Sequence, residues 1–177
     1  MSEHRIISKP KAGSYPEEAE LYIRVVPSND LLGYFDSQKE SVATVAAGLS
    51  EDQLLYRYAK GKWSVKDIFS HITDCERIYC YRSLCIARGE KQSLPGFEEN
   101  DYAREANADK RNIESIISEY KTVRASTIEL FKSFTDEMLN RVGIANESPR
   151  SIRAMGYITA GHEIHHLNVI KERYIQK

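Results

Sequence analysis

Mostly apolar side chains recur every three or four residues from Ile113 to Phe134, and this spacing constrains the fold more than any other feature of the sequence. The series consists of Ile113, Ile116, Ile117, Tyr120, Val123, Thr127, Leu130, Phe131 and Phe134. Residues three or four apart lie on one face of an α-helix, so the series predicts a helix of about six turns with one buried face. We expect that face to pack against other helices.

Three further helices and one shorter helical piece are predicted. Ser64 and Asp67 have the spacing of a capping box, and Gly89 can end the helix that they begin, which carries His71. Apolar positions from Leu31 to Leu49 mark a first long helix, which Pro27 separates from a shorter helical piece at about residues 17–26. A last helix is predicted from about residue 151 to residue 174.

The connections are assigned from turn residues and from the lack of periodicity. Residues 90–108 and 143–149 are predicted to be loops, and residues 135–140 a short capped turn. No strand-like alternation persists, and the connections suit helices that run up and down beside one another. The predicted fold is therefore all-α, an antiparallel four-helix bundle.

Composition excludes several functions. The chain has 25 basic and 26 acidic side chains, and it lacks the basic, aromatic-rich run of a nucleic-acid binder. With 41% hydrophobic residues it is too polar for a membrane span, and its start, MSEHRIISKPKAG, lacks the apolar core of a signal peptide. We therefore expect a cytoplasmic protein whose cysteines, Cys75, Cys80 and Cys85, are reduced thiols.

The stretch GHEIHH, residues 161–166, carries the densest cluster of chemically active side chains. It contains the pattern H-E-x-x-H in His162, Glu163 and His166, and imidazoles four residues apart on a helix can aim at one divalent metal ion. An isolated pair of this kind can equally be surface or core histidines. His165 could replace His166 as the partner; we prefer His166 and treat His165 as an outer residue.

A third ligand is available from the second helix. His71 shares a helix face with Ile68, Ile72 and Cys75, which should be buried, and bundles build metal sites from side chains on facing helices. The trio would be His71, His162 and His166. Three imidazoles leave a position open for water, as in catalytic rather than structural sites.

The metalloprotease interpretation of H-E-x-x-H fails on the residues that follow it. Zinc proteases with this helix need a third protein ligand, which in the commonest families lies downstream, and only LNVIKERYIQK follows His166. Glu172 is too near in sequence to serve as that ligand. Glu163 then remains a candidate proton acceptor by analogy, or a solvated charge on the far side of the helix, which is the interpretation we favour.

Other side chains near His71 have two interpretations each. Asp74 could orient a ligand imidazole or form a surface ion pair, and a surface ion pair is the expectation for Glu76. Arg82 could recognise an anionic group of a substrate or extend to the bundle rim. Trp63, with Tyr56 and Tyr58, could wall a pocket or belong to the core. Cys75 could be an extra metal ligand or a small buried residue.

Four stretches together resemble a known family. They are, in order, YRYAKGKWSVKDIFSHITDCERIYCYRSLCIARGE, LPGFEENDY, YKTVRASTIELF and YITAGHEIHHLNVIKERY. By these the chain resembles the DinB/YfiT-like superfamily of metalloenzymes. The resemblance begins after the first dozen or so residues, which implies a DinB-like bundle domain over residues 14–177 and an N-terminal extension over residues 1–13.

The resemblance implies a metal site and a range of reactions. In the family, one histidine of the second helix and an H-x-x-x-H pair on the fourth bind a divalent metal, often nickel or zinc, which here implies one ion per chain on His71, His162 and His166. Relatives include S-transferases that use bacillithiol, mycothiol or glutathione, a mycothiol-dependent isomerase, and members assigned only as hydrolases. Several relatives form homodimers.

Two functional hypotheses follow. In the first, the metal activates a low-molecular-weight thiol or water for attack on a small electrophilic substrate, which makes the protein an S-transferase or a hydrolase. In the second, the protein is a non-catalytic metal-binding module of a stress response. An accessible cleft beside the site would favour the enzyme, and a closed site would favour the module.

Overall fold

Residues 5–175 are described by a computed structural model of the chain, in which helices dominate. The first part contains a 3-10 turn at Glu17–Ala19 and the helices α1 (Glu20–Ile23), α2 (Leu31–Ser37), α3 (Ser41–Ala46) and α4 (Glu51–Leu55). The second part contains α5 (Val65–Ala87), α6 (Glu99–Ala106), a 3-10 turn (Ala108–Lys110), α7 (Ile113–Ser133) and α8 (Asp136–Asn140). A hairpin, β1 (Val142–Ala145) and β2 (Ser148–Ser151), then leads into α9 (Ile152–Ile170) and a π-helical turn (Lys171–Ile175).

The predicted boundaries of α5 are confirmed. The Ser64 hydroxyl accepts a hydrogen bond from the Asp67 amide at 3.0 Å, and the Asp67 carboxylate accepts one from the Ser64 amide at 3.0 Å. This capping box satisfies two amides that the first turn leaves unpaired. At the other end Gly89 has a φ of +90°, the left-handed conformation that glycine adopts most readily after a helix.

The predicted helix from Ile113 is confirmed as α7, but the first long helix is wrong. It is broken at residues 38–40 into α2 and α3. Tertiary contacts use the break: the Ser41 hydroxyl donates to Glu163 at 2.7 Å, and the Tyr120 hydroxyl oxygen lies 3.2 Å from the Gln38 carbonyl oxygen. Helical periodicity continues through the break because both pieces bury the same face.

Both predicted loops contain regular structure, so the strict all-α prediction is wrong while the mostly helical fold stands. Residues 90–108 include α6, and residues 143–149 lie in the hairpin. Asn146 and Glu147 form its two-residue turn with φ of +51° and +61°, the left-handed pair that a tight hairpin requires. Leu94 pairs with the hairpin through hydrogen bonds to Ile144 and from Asn146.

The helices do not simply alternate in direction. Three contacts join α5 and its cap to α7 and the turn before it. They pair Ser64 with Asp109, Glu76 with Arg124, and Cys80 with Thr127, so residue numbers increase in the same direction along both segments. These two helices therefore run parallel, and the expectation of a purely antiparallel, up-and-down bundle is wrong here. Residues 88–112, which contain α6, return the chain between them, as parallel neighbours require a long connection.

The last helix, α9, runs antiparallel to α5, because His71 faces His162 whereas Ser83 faces Met155. The helix α1 crosses α9 at Gly161. A β-carbon added there would overlap the Tyr22 backbone, so only glycine permits this close approach. The crossing lies one residue before His162 and helps to fix its position.

The predicted N-terminal extension lies partly outside the described residues, which begin at residue 5. In the described part, the Ile7 side chain is buried in the core. Its carbonyl accepts hydrogen bonds from the Leu31 amide at 3.0 Å and the Tyr157 hydroxyl at 3.0 Å. The division of the chain at residue 14 stays a prediction.

Candidate metal centre

Three histidine side chains from two helices meet inside the bundle. The Nε2 atom of His162 lies 3.1 Å from Nε2 of His71 and 3.1 Å from Nε2 of His166. His71 and His162 are buried, and His166 is half-buried. The structure thus brings together the three histidines that the sequence analysis selected as metal ligands; we refer to them as the histidine centre.

Local structure explains this convergence. The capping box fixes the start of α5 and with it the position of His71 in its second turn. His162 and His166 are four residues apart on α9, so their side chains leave the same face of that helix. Because α5 and α9 pack against each other in opposite directions, these two faces meet.

Aromatic rings enclose the histidine centre. The Trp63 ring centroid lies 4.5 Å from that of His71 and 6.3 Å from that of His166. The rings of Tyr22 and Tyr79 contact His162 edge-on, at 5.7 Å and 6.0 Å. Trp63 therefore forms one wall of the centre, which is the pocket-wall alternative for this residue.

The imidazoles are held in their neutral form. Burial lowers the pKa of His71 to about 4 and that of His166 to about 3. Burial, followed by the neighbouring imidazoles of His166 and His71, holds the pKa of His162 well below its ordinary value. At neutral pH each ring keeps a nitrogen lone pair for a ligand.

The donor set fits a divalent transition metal. Imidazole nitrogens bind zinc at about 2.0–2.1 Å, which places two such ligands about 2.9–3.4 Å apart at coordination angles of about 90–110°. The observed separations of 3.1 Å fall inside that range. Three imidazoles suit zinc, nickel, copper or iron better than calcium or magnesium. The site can therefore hold one such ion, with His71, His162 and His166 as its ligands.

A second group of possible ligands overlaps this one. Cys75 Sγ lies 3.6 Å from the His71 imidazole, and ligand atoms of His71, Cys75 and Glu99 all lie within 4.8 Å of one another. Burial raises the pKa of the Cys75 thiol above its ordinary value, so the uncharged thiol is favoured. Glu99 was not selected from the sequence, because its helix α6 was assigned to a loop; the acidic residues 98 and 99 at the helix start were the available signal.

Glu163 lies in a different environment from the one we favoured. Its carboxylate is buried and accepts hydrogen bonds from Arg124, from the Tyr120 hydroxyl at 2.7 Å and from the Ser41 hydroxyl at 2.7 Å. The interpretation of Glu163 as a solvated charge is therefore wrong. Successive helical residues point about 100° apart, so His162 faces α5 while Glu163 faces α7.

The partner of Glu163 belongs to a buried ion cluster. Arg124 donates to both carboxylate oxygens of Glu76, at 2.9 Å and 2.8 Å, and its guanidinium lies over the rings of Phe35 and Tyr120 at 4.7 Å and 5.3 Å. Burial alone would lower the pKa of Arg124, but Glu163 and Glu76 raise it well above its ordinary value. We call Glu76, Arg124 and Glu163 the arginine cluster. The predicted surface ion pair at Glu76 is wrong.

Two other predicted residues lie at the periphery of the centre. Asp74 pairs with Arg77 at 3.4 Å, which is the ion-pair alternative for this residue. His165 is exposed, as expected of an outer residue, and its ring contacts that of Tyr22 at 5.8 Å. Neither supplies an atom to the histidine centre.

Two cavities adjoin the centre. A cavity of about 410 Å³, which we call the histidine pocket, is lined by residues that include Lys62, Trp63, Glu99, His165, His166 and Arg173. A smaller cavity of about 160 Å³, the arginine pocket, is lined by residues that include Glu18, Tyr22, Tyr79, Arg82, Glu99 and Arg150. Glu99 lines both, so it stands between them. Arg82 is buried rather than extended to the rim.

Comparisons with known proteins place the chain in a family context. The model of the DinB superfamily matches residues 34–170. A protein of Geobacillus thermodenitrificans (strain NG80-2) with the name "Putative metal-dependent hydrolase" is 25% identical over 126 residues, which are 71% of this chain and 70% of that protein. All three histidines of the centre lie within the matched range 34–170.

One solved structure has the same fold. YfiT from Bacillus subtilis, described as "a probable metal-dependent hydrolase with an unusual four-helix bundle topology", matches with a TM-score of 0.70. The two chains are 16% identical, and the match covers 93% of this chain and 90% of YfiT.

None of the helices within residues 5–175 combines the length and the apolar character that crossing a membrane requires.

Proposed function

We propose that this chain, which belongs to the DinB superfamily, is a metal-dependent enzyme whose ion is held by His71, His162 and His166. The observation that carries the proposal is the convergence of three neutral imidazoles, in which Nε2 of His162 lies 3.1 Å from Nε2 of His71 and 3.1 Å from Nε2 of His166. The proposed reaction is attack by an activated water or thiol on a small electrophilic substrate. A curated relative named as a metal-dependent hydrolase supports the hydrolytic form.

The residues present supply what such a reaction needs. A divalent ion on three imidazoles supplies Lewis acidity, which lowers the pKa of a coordinated water to about 7 or deprotonates a coordinating thiol. The low pKa values of His71 and His166, about 4 and about 3, keep one nitrogen of each of these two rings unprotonated at neutral pH. Trp63, Tyr22 and Tyr79 limit the access of bulk water to the imidazoles.

The histidine pocket provides the substrate's access. Its volume of about 410 Å³ lies in the range of small-molecule sites, and His166 opens onto it. Lys62 and Arg173 stand at the same pocket, where they favour an anionic substrate or thiol. We propose a low-molecular-weight thiol as cosubstrate of the transferase form.

Three expectations from the sequence stay predictions: that the ion is nickel or zinc, that the protein forms a homodimer, and that it is cytoplasmic.

We assign Glu163 to the support of α9 rather than to proton transfer. Its oxygens accept hydrogen bonds from Arg124, Tyr120 and Ser41, and Glu163 does not line the histidine pocket. Glu99 is the better candidate proton acceptor, because its carboxylate is exposed, lines the histidine pocket and lies within 4.8 Å of a His71 ring nitrogen.

The non-catalytic module predicts a histidine centre closed to small molecules. The open pocket beside His166 favours the enzyme instead. The two functions also differ in what a substrate would do: turnover requires a ligand position left free by the three imidazoles.

Metal analysis and turnover test the proposal together. Protein incubated with zinc or nickel and desalted should retain about one equivalent of the ion per chain, and His71→Ala and His166→Ala should lose it. His165→Ala is the matched control, since it changes an exposed imidazole on the same helix. Turnover would be assayed with p-nitrophenyl acetate for hydrolysis, and with glutathione or bacillithiol and chlorodinitrobenzene for transfer. Retention of metal and turnover by His71→Ala and His166→Ala would reject the proposed function.

A further inference from the structure

The arginine pocket contains a buried cation without a counter-charge. The Arg82 side chain is 5% exposed, and its guanidinium donates to the Pro95 carbonyl at 2.6 Å. Among residues 5–175, no carboxylate lies within 4.0 Å of that guanidinium. Arg124, which is equally inaccessible, has two carboxylates. A buried charge without a partner is costly, so the absence of a protein anion at Arg82 requires an explanation.

A second guanidinium enters the same pocket from the hairpin. The Arg150 side chain is 13% exposed, and its nearest carboxylate, Glu18, is 3.9 Å away and 66% exposed. Its Nε atom donates to the Ala145 carbonyl at 3.4 Å. A guanidinium has five N–H donors, so both arginines keep donors for a ligand. Burial and the charge of Arg150 both lower the pKa of Arg82, which indicates that the two cations are close.

Two phenol groups add further donors. Tyr22 and Tyr79 line the pocket, and neither hydroxyl makes a hydrogen bond to another of the described residues. The rings of both tyrosines contact His162. These two rings therefore adjoin both the pocket and the histidine centre.

The pocket also contains carboxylates, but they are placed differently. Glu18 and Glu99 are exposed, and Glu99 lies towards His71 and Cys75. Water screens exposed charges strongly and buried charges weakly, so the field of Arg82 dominates the interior of the pocket. The inner end is thus cationic although the lining residues are formally neutral as a group.

We propose that the arginine pocket binds the carboxylate of a small substrate, with Arg82 and Arg150 as its cationic partners and Tyr22 and Tyr79 as hydroxyl donors. The volume of about 160 Å³ accepts a carboxylate with a few carbon atoms, since one liquid water occupies about 30 Å³. The guanidinium of arginine matches the two oxygens of a carboxylate. If the proposed function holds, the electrophilic atom of such a substrate would be directed towards His162.

Titration of the metal-free protein with propionate tests the binding itself. Calorimetry or NMR should detect one propionate per chain, and Arg82→Gln should weaken binding at least tenfold. Arg150→Gln should weaken it about threefold, because this arginine is less buried. Arg104→Gln is the matched control: its side chain is 65% exposed and lies outside the arginine pocket, so affinity should not change.

The possible contrary results are distinct. No propionate binding to the wild type, or equal binding by wild type, Arg82→Gln and Arg150→Gln, would overturn the proposal. If Arg82→Gln does not fold, as judged by circular dichroism, Arg150→Gln decides the question. Tighter binding of inorganic phosphate than of propionate would overturn the carboxylate assignment.

A variant of the histidine centre separates this proposal from the proposed function. His71→Ala should lose metal and still bind propionate with unchanged affinity, because the arginine pocket does not include His71. If the wild type binds propionate through Arg82 but retains no zinc or nickel after incubation and desalting, only the proposed function is rejected. Metal-dependent turnover without any Arg82-dependent binding would reject only the carboxylate site.

Discussion

The histidine centre and the arginine cluster are both polar and buried, and both take side chains from the helices α5 and α9, while Arg124 of the cluster comes from α7. The helix α5 supplies His71 to the first and Glu76 to the second, and α9 supplies His162 to the first and Glu163 to the second. They differ in how their polar atoms are satisfied. The carboxylates of the arginine cluster accept hydrogen bonds from Arg124, Tyr120 and Ser41, whereas three nitrogens of the histidine centre face one another beside an open pocket.

On this difference we base the proposal that the arginine cluster is structural and the histidine centre functional. Each carboxylate oxygen of the arginine cluster has a protein donor, and only Nη1 of Arg124 makes no hydrogen bond among the described residues, so breaking this buried network is costly. Three imidazoles that converge on one point are an arrangement that a divalent ion can complete. The neighbouring residues His162 and Glu163 thus have separate roles, and the protease-like pattern H-E-x-x-H arises from two different interfaces of α9.

The largest expected effect comes from breaking the arginine cluster. Arg124→Met would leave the carboxylates of Glu76 and Glu163 buried without their cation, and we expect the free energy of unfolding to fall by about 3–5 kcal/mol. Urea denaturation of the metal-free protein measures this. Arg104→Met, at an exposed arginine, should change stability by no more than about 0.5 kcal/mol. A loss below about 1 kcal/mol for Arg124→Met would contradict the structural role.

Zinc should stabilise the wild type through the histidine centre, and loss of one histidine of the centre should abolish this stabilisation. At a free zinc concentration of about 100 times the dissociation constant, the wild type should gain about 2.7 kcal/mol of stability. His71→Ala should lose this gain, and His165→Ala should keep it. Thermal or urea unfolding with and without zinc gives the comparison. An equal gain in His71→Ala would show that zinc binds elsewhere.

The crossing of α1 over α9 serves both regions, so disturbing it should affect both. Gly161→Ala would force a β-carbon against the Tyr22 backbone, and we expect a destabilisation of about 1–3 kcal/mol together with weaker metal binding. Gly48→Ala is the control, because its β-carbon would meet nothing closer than 3.8 Å. Unchanged stability and metal affinity in Gly161→Ala would show that α1 does not position His162.

Acid should weaken the histidine centre of the metal-free protein selectively. The folded-state pKa values of His71 and His166, about 4 and about 3, lie below the ordinary 6.5, so the unfolded chain binds more protons between these values. Stability present above pH 6.5 should be lost as the pH falls towards these folded values, by about 1.4 kcal/mol per pH unit for each histidine.

Urea denaturation at pH 7 and at pH 5.5 measures that slope, and His71→Gln should remove one histidine's share of it. The range stays above the titration of most carboxylates, which limits their contribution. Equal slopes for wild type and His71→Gln would contradict the assignment of a buried, neutral imidazole at position 71.

The structural features that could be predicted from the sequence depend on local geometry. Helix caps involve residues three positions apart, as with Ser64 and Asp67, and an H-x-x-x-H pair on a helix shares one face wherever the helix lies. His71 could be added because its helix face is apolar. These rules select the three histidines once the last helix is assumed to pack beside the second.

The remaining features depend on contacts between distant segments. Arg124 meets Glu76 only because α5 and α7 run parallel, and the length of residues 88–112 allowed that arrangement without requiring it. Glu99 and Arg150 reach the site from α6 and the hairpin, two elements that sequence periodicity assigned to loops. The hairpin turn uses left-handed Asn146 and Glu147, and strands of four residues with Pro149 in one of them show no clear alternation.

X-ray absorption spectroscopy of the zinc- or nickel-loaded protein tests the central claim most directly. We expect zinc to be bound by three imidazole nitrogens at about 2.0–2.1 Å. One of these nitrogens should be absent in any of His71→Ala, His162→Ala and His166→Ala that still retains metal. A sulfur ligand at about 2.3 Å from Cys75, or a spectrum unchanged by these substitutions, would contradict the claim that the three histidines hold the ion.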